Sequence, residues 1–557
     1  MANNNKPRLR LIPLGGLGEV GKNMFVVEYG SDMMLIDAGL MFPEDEMLGI
    51  DLVLPDFTYV RKNKDKLKGI FITHGHEDHT GALPYLLRDV NVPIYGTRLT
   101  LGLIRGKLEE HNLLGSTKLV EIHPNNPIKL GCFKLEFFRM THSIPDGVGV
   151  AIHTPVGLVV HSGDFKLDQT PIDGNVIGFD KISSLCSKGV LALMSDSTNA
   201  ETPGYTPSER VVGETLHKIF EKADGRVIVA SFASHIHRIQ QVIDTAHRFD
   251  RKLAVTGLSM TKNVEIASQL GYLKIPKKMM IHPAEMRRYA PKQLCVMSTG
   301  SQGEPMSALA RMANGEHKWV DITEEDTIII SASAVPGNEK SISQTIDRLF
   351  RCGASVFYDS ISGVHVSGHG AKDELRLMMN LVKPKYFIPI HGEYRHLRLH
   401  AEIAEEMGIP KDHIFVASNG DVVEFNENGK ASMKEKVPAG AILVDGLGVG
   451  DIGEVVLRDR QQLSSDGILI VVVTIDKQTG KLIAGPDLVT RGFVYVRESG
   501  ALLDEARERV IKALERTSKE NITDWAVLKN DVRKVLSAFI YDNIKRRPMI
   551  MPIIVEV

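Results

Sequence analysis

The seven residues Thr73-His74-Gly75-His76-Glu77-Asp78-His79 constrain this chain more than any other stretch. They follow the apolar run Gly69-Ile70-Phe71-Ile72, whose pattern predicts a short buried strand. Strand ends present side chains to solvent and to ligands, so the motif is expected to project from the edge of a core. Along an extended backbone His74 and His76 point the same way, while Asp78 and His79 lie around the turn beyond. Two pairs of donors offered from one turn suit two cations. Imidazole mixed with carboxylate suits zinc or manganese better than calcium or magnesium, which favour oxygen shells. Zinc is the expected ion. The bland alternative, a histidine-rich surface loop, explains neither the strand in front nor the donors that follow.

Those donors recur at strand ends. A strand over 133–138 runs into Thr141-His142-Ser143, one over 157–161 into Ser162-Gly163-Asp164, one over 189–194 into Ser195-Asp196-Ser197-Thr198, and one over 385–390 into His391-Gly392-Glu393. Taken singly, each reads as a surface histidine or an Asx turn. Beside the first motif, His142 and His391 read as ligands. Asp164 can bridge two cations, because its two oxygens reach different metals. The repetition argues for one shared edge.

At 557 residues the chain exceeds one core, and about three or four domains are expected. A net charge of −2 lends nucleic-acid binding no global support, so any basic channel has to be local. Cys132, Cys186, Cys295 and Cys352 are scattered and form no Cys-x-x-Cys pair, the usage of a reducing compartment. The start carries no apolar leader, and no run approaches the ~20 apolar residues of a membrane span. A cytoplasmic protein with no membrane contact is expected.

The first 208 residues read as short strands (8–14, 23–29, 33–36) joined by glycine turns, then helices over 80–90 and 99–111. Gly15-Gly16-Leu17-Gly18 is a tight turn, since it lacks the helix and the Lys-Ser/Thr of a phosphate loop. From residue 209 the rhythm changes. Helices over 209–222, 237–249, 261–270 and 303–313 alternate with strands over 226–230, 252–255, 294–297 and 327–330, the pattern of an open parallel α/β sheet over 209–362. Such sheets bind ligands at the carboxyl ends of their strands, which makes Ser231, Ser234 and His235 anion-site candidates, although capping explains any one of them equally. His365-Val366-Ser367-Gly368-His369 precedes a helix over 371–382 within a segment 363–445. With the ligand set already filled, these residues suit phosphate contact and proton transfer. A glycine-rich linker is expected over 446–460. A last α/β unit follows over 461–557, with strands at 467–473, 493–496 and 549–557 and helices at 500–516 and 523–540.

The His-x-His-x-Asp-His pattern resembles the signature of the metallo-β-lactamase superfamily. Ser195-Asp196-Ser197-Thr198, His365-Val366-Ser367-Gly368-His369 and Pro389-Ile390-His391-Gly392-Glu393 resemble its β-CASP group of nucleic-acid processing nucleases. Phe42-Pro43-Glu44-Asp45, Thr141-His142-Ser143-Ile144-Pro145-Asp146, Thr299-Gly300-Ser301-Gln302-Gly303-Glu304-Pro305, Arg491-Gly492-Phe493-Val494-Tyr495 and Lys545-Arg546-Arg547-Pro548 resemble the bacterial ribonuclease J family, over nearly the whole chain. The implied architecture is α/β: a metallo-β-lactamase αββα sandwich with an inserted β-CASP α/β domain and a small C-terminal α/β domain. By the same resemblance one divalent metal would be held by His74, His76 and His142 and a second by Asp78, His79 and His391. Asp164 would bridge them and Asp37 would buttress the ligands. Zinc is implied first, manganese or magnesium as alternatives, and Asp51 and Asp445 are candidates for a structural calcium.

The implied activity is 5′-to-3′ exonucleolysis of single-stranded RNA from a 5′-monophosphate, with endonucleolytic cleavage, in messenger and ribosomal RNA decay and maturation. A homodimer, a homotetramer or association with a paralogue is implied, as is an RNA-decay complex. The expected chemistry is hydrolysis by a water activated between two cations about 4 Å apart. Asp78, Asp196 and His369 are the catalytic candidates. Ser231, Ser234, His235 and residues 365–369 would hold a substrate phosphate. Three other readings are a small-molecule hydrolase, which the insertion near 210–360 opposes, an RNA-binding scaffold that cuts poorly, and DNA cleavage, since nothing in the ligand set detects a 2′-hydroxyl.

Overall fold

The computed structural model describes residues 6–44, 46–302, 304, 306–335, 338–477, 481–494, 500–519 and 525–557. The described residues form two compact units. One joins those up to Glu44 with Leu52–Ile442, and the other joins those of 45–51 with Leu443–Val557.

The larger unit holds two sheets face to face. One has the strand order Ala431–Lys436, Asp421–Phe425, Leu9–Gly15, Met24–Tyr29, Asp32–Ile36, Leu67–Phe71, Ile94–Gly96, Leu119–Glu121. The other runs Pro384–Ile390, Val190–Asp196, Leu158–His161, Val148–His153, Phe133–Arg139, Ile128–Leu130. Their facing side chains form one core, with Leu11, Val27, Ile36 and Phe71 from the first sheet against Phe137, Val150, Met194 and Ile388 from the second. The alternate residues of the second sheet, Phe138, Ala151, Leu193 and Phe387, face outwards and are covered by the helices Phe179–Cys186, Lys372–Val382 and Tyr394–Glu406. The helix Arg98–Glu110 packs on the outer strands of the first sheet. The expected helix over 80–90 is instead two helical turns, Glu77–Thr80 and Leu83–Leu86. Gly81 sits between them against Leu40, and Pro84 lacks the N–H that a continuous helix would use.

The inserted sheet is wholly parallel, in the order Met280–Ile281, Lys252–Val255, Leu294–Ser298, Val227–Ala230, Thr327–Ile330, Ser355–Tyr358. Period two assigns its faces. Val227 and Val229 meet the helices Arg210–Lys222 and Ile236–Arg248, while Ile228 and Ala230 meet Ala308–Ala313 and Glu339–Arg351. Both faces are therefore buried, as a parallel sheet requires. The helix predicted over 303–313 begins only at Ala308, with Ser307 as its N-cap.

In the smaller unit Ile468–Ile475 pairs antiparallel with Leu482–Arg491 and parallel with Met549–Glu556. Leu469, Val471, Val473 and Ile475 pack on the helices Gly500–Lys519 and Trp525–Ile544. The strand predicted over 493–496 differs. Phe493 and Val494 lie outside any strand, 495–496 fall outside the described residues, and the strand is Leu482–Arg491. Gly485-Pro486 interrupts its apolar pattern and hides it from sequence reading. The stretch expected as a linker is structured: Gly448–Val449 pairs with Val444 and Asp445, and the helix Glu454–Asp466 starts within it.

Candidate metal centre

Four strands of the sandwich end at one place. Beyond Leu67–Phe71 come Thr73 and His74, beyond Phe133–Arg139 comes His142, beyond Leu158–His161 comes Asp164, and beyond Pro384–Ile390 comes His391. His79 lies in the short helical turn Glu77–Thr80. Asp37 and His391 have φ of 61° and 54°, left-handed values that turn each side chain sharply off its strand.

Each ring is fixed from behind. Asp37 accepts from the Thr73 N–H at 2.8 Å and lies 2.7 Å from His79 Nδ1. His74 Nδ1 is 3.0 Å from the Thr73 hydroxyl, and His142 Nδ1 donates to the Gly368 carbonyl at 2.7 Å. The Thr198 hydroxyl donates to Asp196 at 2.8 Å and takes a hydrogen bond from His391 Nδ1 at 2.7 Å. With Nδ1 of His74, His79, His142 and His391 engaged, Nε2 of each is left to face inwards, the arrangement by which outer hydrogen bonds set a metal ligand's tautomer.

His76 Nδ1 is 3.1 Å from His74 Nε2 and 3.2 Å from His142 Nε2. Asp78 Oδ2 is 3.2 Å from His391 Nε2 and 3.3 Å from His79 Nε2. Between the two groups sits Asp164 Oδ2, at 3.2 Å from His79, 3.3 Å from His391, 3.7 Å from His74 and 3.9 Å from His142. Donors about 2.0–2.2 Å from a shared tetrahedral ion stand about 3.3–3.6 Å apart, so these spacings are those of coordination edges.

The electrostatics agree. Burial holds His74 and His142 well below the usual imidazole range and His76 at about 4, so this trio is neutral, the form that coordinates a cation. Lone pairs of neutral rings facing one another need a cation or a proton between them. His79 and His391 go the other way. Burial opposes their charge, but Asp164 and Asp78 outweigh it, raising His79 well above its usual range and His391 to about 9. Asp78 and Asp164 are held low by those histidines despite their burial. The fit to divalent cations is good on both counts.

His369 stands beside this centre, its Nδ1 2.7 Å from Asp196 Oδ2. Its Ser367 neighbour accepts from the His369 N–H through Oγ at 3.1 Å. Val366 packs on the core of the inserted domain, and the buried His365 Nδ1 has no hydrogen-bond partner. At the carboxyl end of Val227–Ala230, Ser231 Oγ is likewise buried without a hydrogen bond, His235 Nε2 is buried 3.4 Å from Glu209 Oε1, and Ser234 is half-buried. The two calcium candidates lie in the smaller unit. Asp445 is ion-paired with Arg460, and Asp51 accepts from the Gly446 N–H at 2.7 Å.

Sequence reading missed Asn23. Its Nδ2 lies 3.3 Å from Asp78 Oδ2 and 3.1 Å from His79 Nε2. Thr73 and Thr198, which touch the clustered histidines, also went unassigned, and Gly368, expected at a substrate phosphate, has its carbonyl on His142. The threonines were readable as hydroxyls beside ligand motifs, whereas nothing local marks Asn23.

This fold and this edge of histidine and aspartate define a metal-dependent hydrolase. Family models agree: the metallo-beta-lactamase superfamily matches residues 17–195, the ribonuclease J beta-CASP domain 224–349, the Zn-dependent metallo-hydrolase RNA specificity domain 359–416, and the ribonuclease J C-terminal domain 455–557. The chain is 48% identical over 557 residues to ribonuclease J2 of Bacillus subtilis, covering 100% of both. It is 45% identical to ribonuclease J 1 of Streptococcus pyogenes, covering 97% of this chain and 96% of that one. A crystal structure of a protein of unknown function from Enterococcus faecalis V583 shares the fold, with a TM-score of 0.54 at 13% identity over 75% of this chain and 100% of the other. The chain belongs to the ribonuclease J family, and it is a metal-dependent ribonuclease of the metallo-β-lactamase fold with an inserted β-CASP domain and a C-terminal domain. No helix among the described residues is long and apolar enough to cross a membrane.

Proposed function

We propose that the chain degrades and matures single-stranded RNA by 5′-to-3′ exonucleolysis from a 5′-monophosphate, and by internal cleavage, through hydrolysis at two divalent ions. The observation that carries this reading is the position of Asp164 Oδ2, within 3.2–3.9 Å of Nε2 of four histidines drawn from three separate segments. His74, His76 and His142 would hold one ion, Asp78, His79 and His391 the other, with Asp164 shared and zinc the ion preferred by the donor set. When bound, such ions lower the pKa of a water towards ~7 and offset charge on the phosphoryl oxygens.

The chain's own groups supply the rest. Asp37, Thr73, Thr198 and the Gly368 carbonyl orient the ligand rings. His369, whose charged form the contact with Asp196 favours, would give a proton to the departing 3′-oxygen. Ser231 and His365, whose buried polar atoms lack partners, together with the backbone of 366–368, would receive the terminal phosphate. Association with a second copy or a paralogue completes the reading. Product analysis on one RNA carrying a 5′-monophosphate, 5′-triphosphate or 5′-hydroxyl tests it. Mononucleotides released fastest from the monophosphate are expected, and equal rates from all three ends would reject the exonuclease reading.

A further inference from the structure

The buried ion network that the metal centre does not use lies where the inserted sheet meets the loop carrying His365 and His369. Glu209, Lys166 and Arg238 are 2%, 1% and 0% exposed. Glu209 pairs through Oε1 with Lys166 Nζ at 3.3 Å and through Oε2 with Arg238 Nη2 at 2.8 Å. Both cations also grip the loop. Arg238 Nη1 donates to the Val364 carbonyl at 2.9 Å, and Lys166 Nζ donates to the Ser367 carbonyl at 3.1 Å. The next carbonyl, that of Gly368, accepts from His142 Nδ1 at 2.7 Å.

Burying two cations on one carboxylate is a poor way to gain stability, since apolar replacements of such groups are often neutral or better. What the arrangement does secure is geometry. Carbonyls 364 and 367 are fixed by hydrogen bonds from charged donors, which are stronger than neutral ones. Arg238 reaches from the inserted domain, on the helix Ile236–Arg248, whereas Lys166 sits two residues beyond Asp164 on the sandwich. Glu209 ties the two sides together at the loop. On the loop His365 Nδ1, and at the end of the strand Val227–Ala230 Ser231 Oγ, are buried with no hydrogen-bond partner, the mark of a site awaiting a polar ligand.

We propose that Glu209 is a positioning residue: through Arg238 and Lys166 it sets the backbone of residues 364–368, so that this loop discriminates a phosphorylated 5′ end. The inference rests on the reading that this loop receives a phosphate. The network carries register between the two domains, and the phosphate contacts themselves come from the loop.

The test is kcat/KM on two RNAs of one sequence, 5′-monophosphate and 5′-hydroxyl, with the full chain loaded with one metal. In Glu209→Gln the ratio of the two values is expected to fall about tenfold, the equivalent of one lost hydrogen bond. A merely structural role lowers both values together and leaves the ratio alone, which would overturn the proposal. The double variant Glu209→Gln with Lys166→Met also removes one of the two cations left unpaired. Its thermal midpoint is expected to return towards that of the parent while the ratio stays low, and recovery of both would again overturn the proposal. Should Glu209→Gln not fold, Arg238→Lys, which keeps the cation and loses the planar fork, is read by the same ratio. A parent enzyme that does not distinguish the two RNAs overturns the loop reading and this proposal together; a parent that does, with a variant that matches it, overturns the proposal alone.

Discussion

His369 Nδ1 lies 2.7 Å from Asp196 Oδ2, and the His369 ring is 5.0 Å from that of His142 and 5.3 Å from that of His391. Burial disfavours a charged imidazole here, yet the Asp196 charge and hydrogen bond raise His369 above its usual pKa. Asp196 is lowered in turn by His369, against its own burial. The contact favours the charged form of the pair, beside the clustered histidines, which suits His369 to donate a proton.

Asp196→Asn keeps the shape and removes the charge. The expected loss in kcat is about 10²–10⁴-fold, the usual worth of a positioned general acid, with KM nearly unchanged. Single-turnover cleavage of labelled RNA beside metal analysis checks this. A variant that retains both metal and rate would remove His369 from the chemistry.

Asn23 touches both Asp78 and His79. Partners of this kind typically contribute 10–100-fold in metal affinity. Asn23→Ala is therefore expected to weaken divalent-ion binding by about that factor while the chain stays folded. Competition against a fluorescent chelator measures it, and an unchanged affinity would make Asn23 a loop residue only.

His400 gives a pH dependence away from the metal ligands. Its ring is fully buried against Phe387, with Nδ1 2.9 Å from Ser197 Oγ, and burial pushes it down to about 3. The unfolded chain protonates such a ring near 6.5. Unfolding therefore takes up a proton between about 6.5 and 3, so the stability contributed by the neutral ring is complete above 6.5 and is lost as pH falls. In metal-free protein His400→Phe is expected to flatten the stability–pH slope in that window by up to about 1.4 kcal/mol per pH unit. Parallel curves for the two proteins would contradict the burial argument.

The sandwich and its edge were legible because each donor travels with its own strand end: His74 to His79, His142, Asp164 and His391 carry their chemistry in local sequence. Asn23 was not, since its partner Asp78 is reached only when strands Met24–Tyr29 and Leu67–Phe71 come together in one sheet. Glu209 was hidden for the same reason, as an ordinary acid at the start of a predicted helix. In the smaller unit the glycine-rich composition near 446–453 masked the helix that begins at Glu454. The strand Leu482–Arg491 was masked by its Gly485-Pro486 step.

The central claim is that the clustered histidines and aspartates cut RNA by holding divalent ions. It is tested most directly by stripping the enzyme with EDTA, then titrating zinc, manganese or magnesium back while metal content and cleavage of single-stranded RNA are read on the same samples. The stripped enzyme is expected to be folded and inactive, with activity returning as about two ions per chain bind, and His76→Ala is expected to recover neither full occupancy nor cleavage. Cleavage at the full rate by metal-free protein would contradict the account.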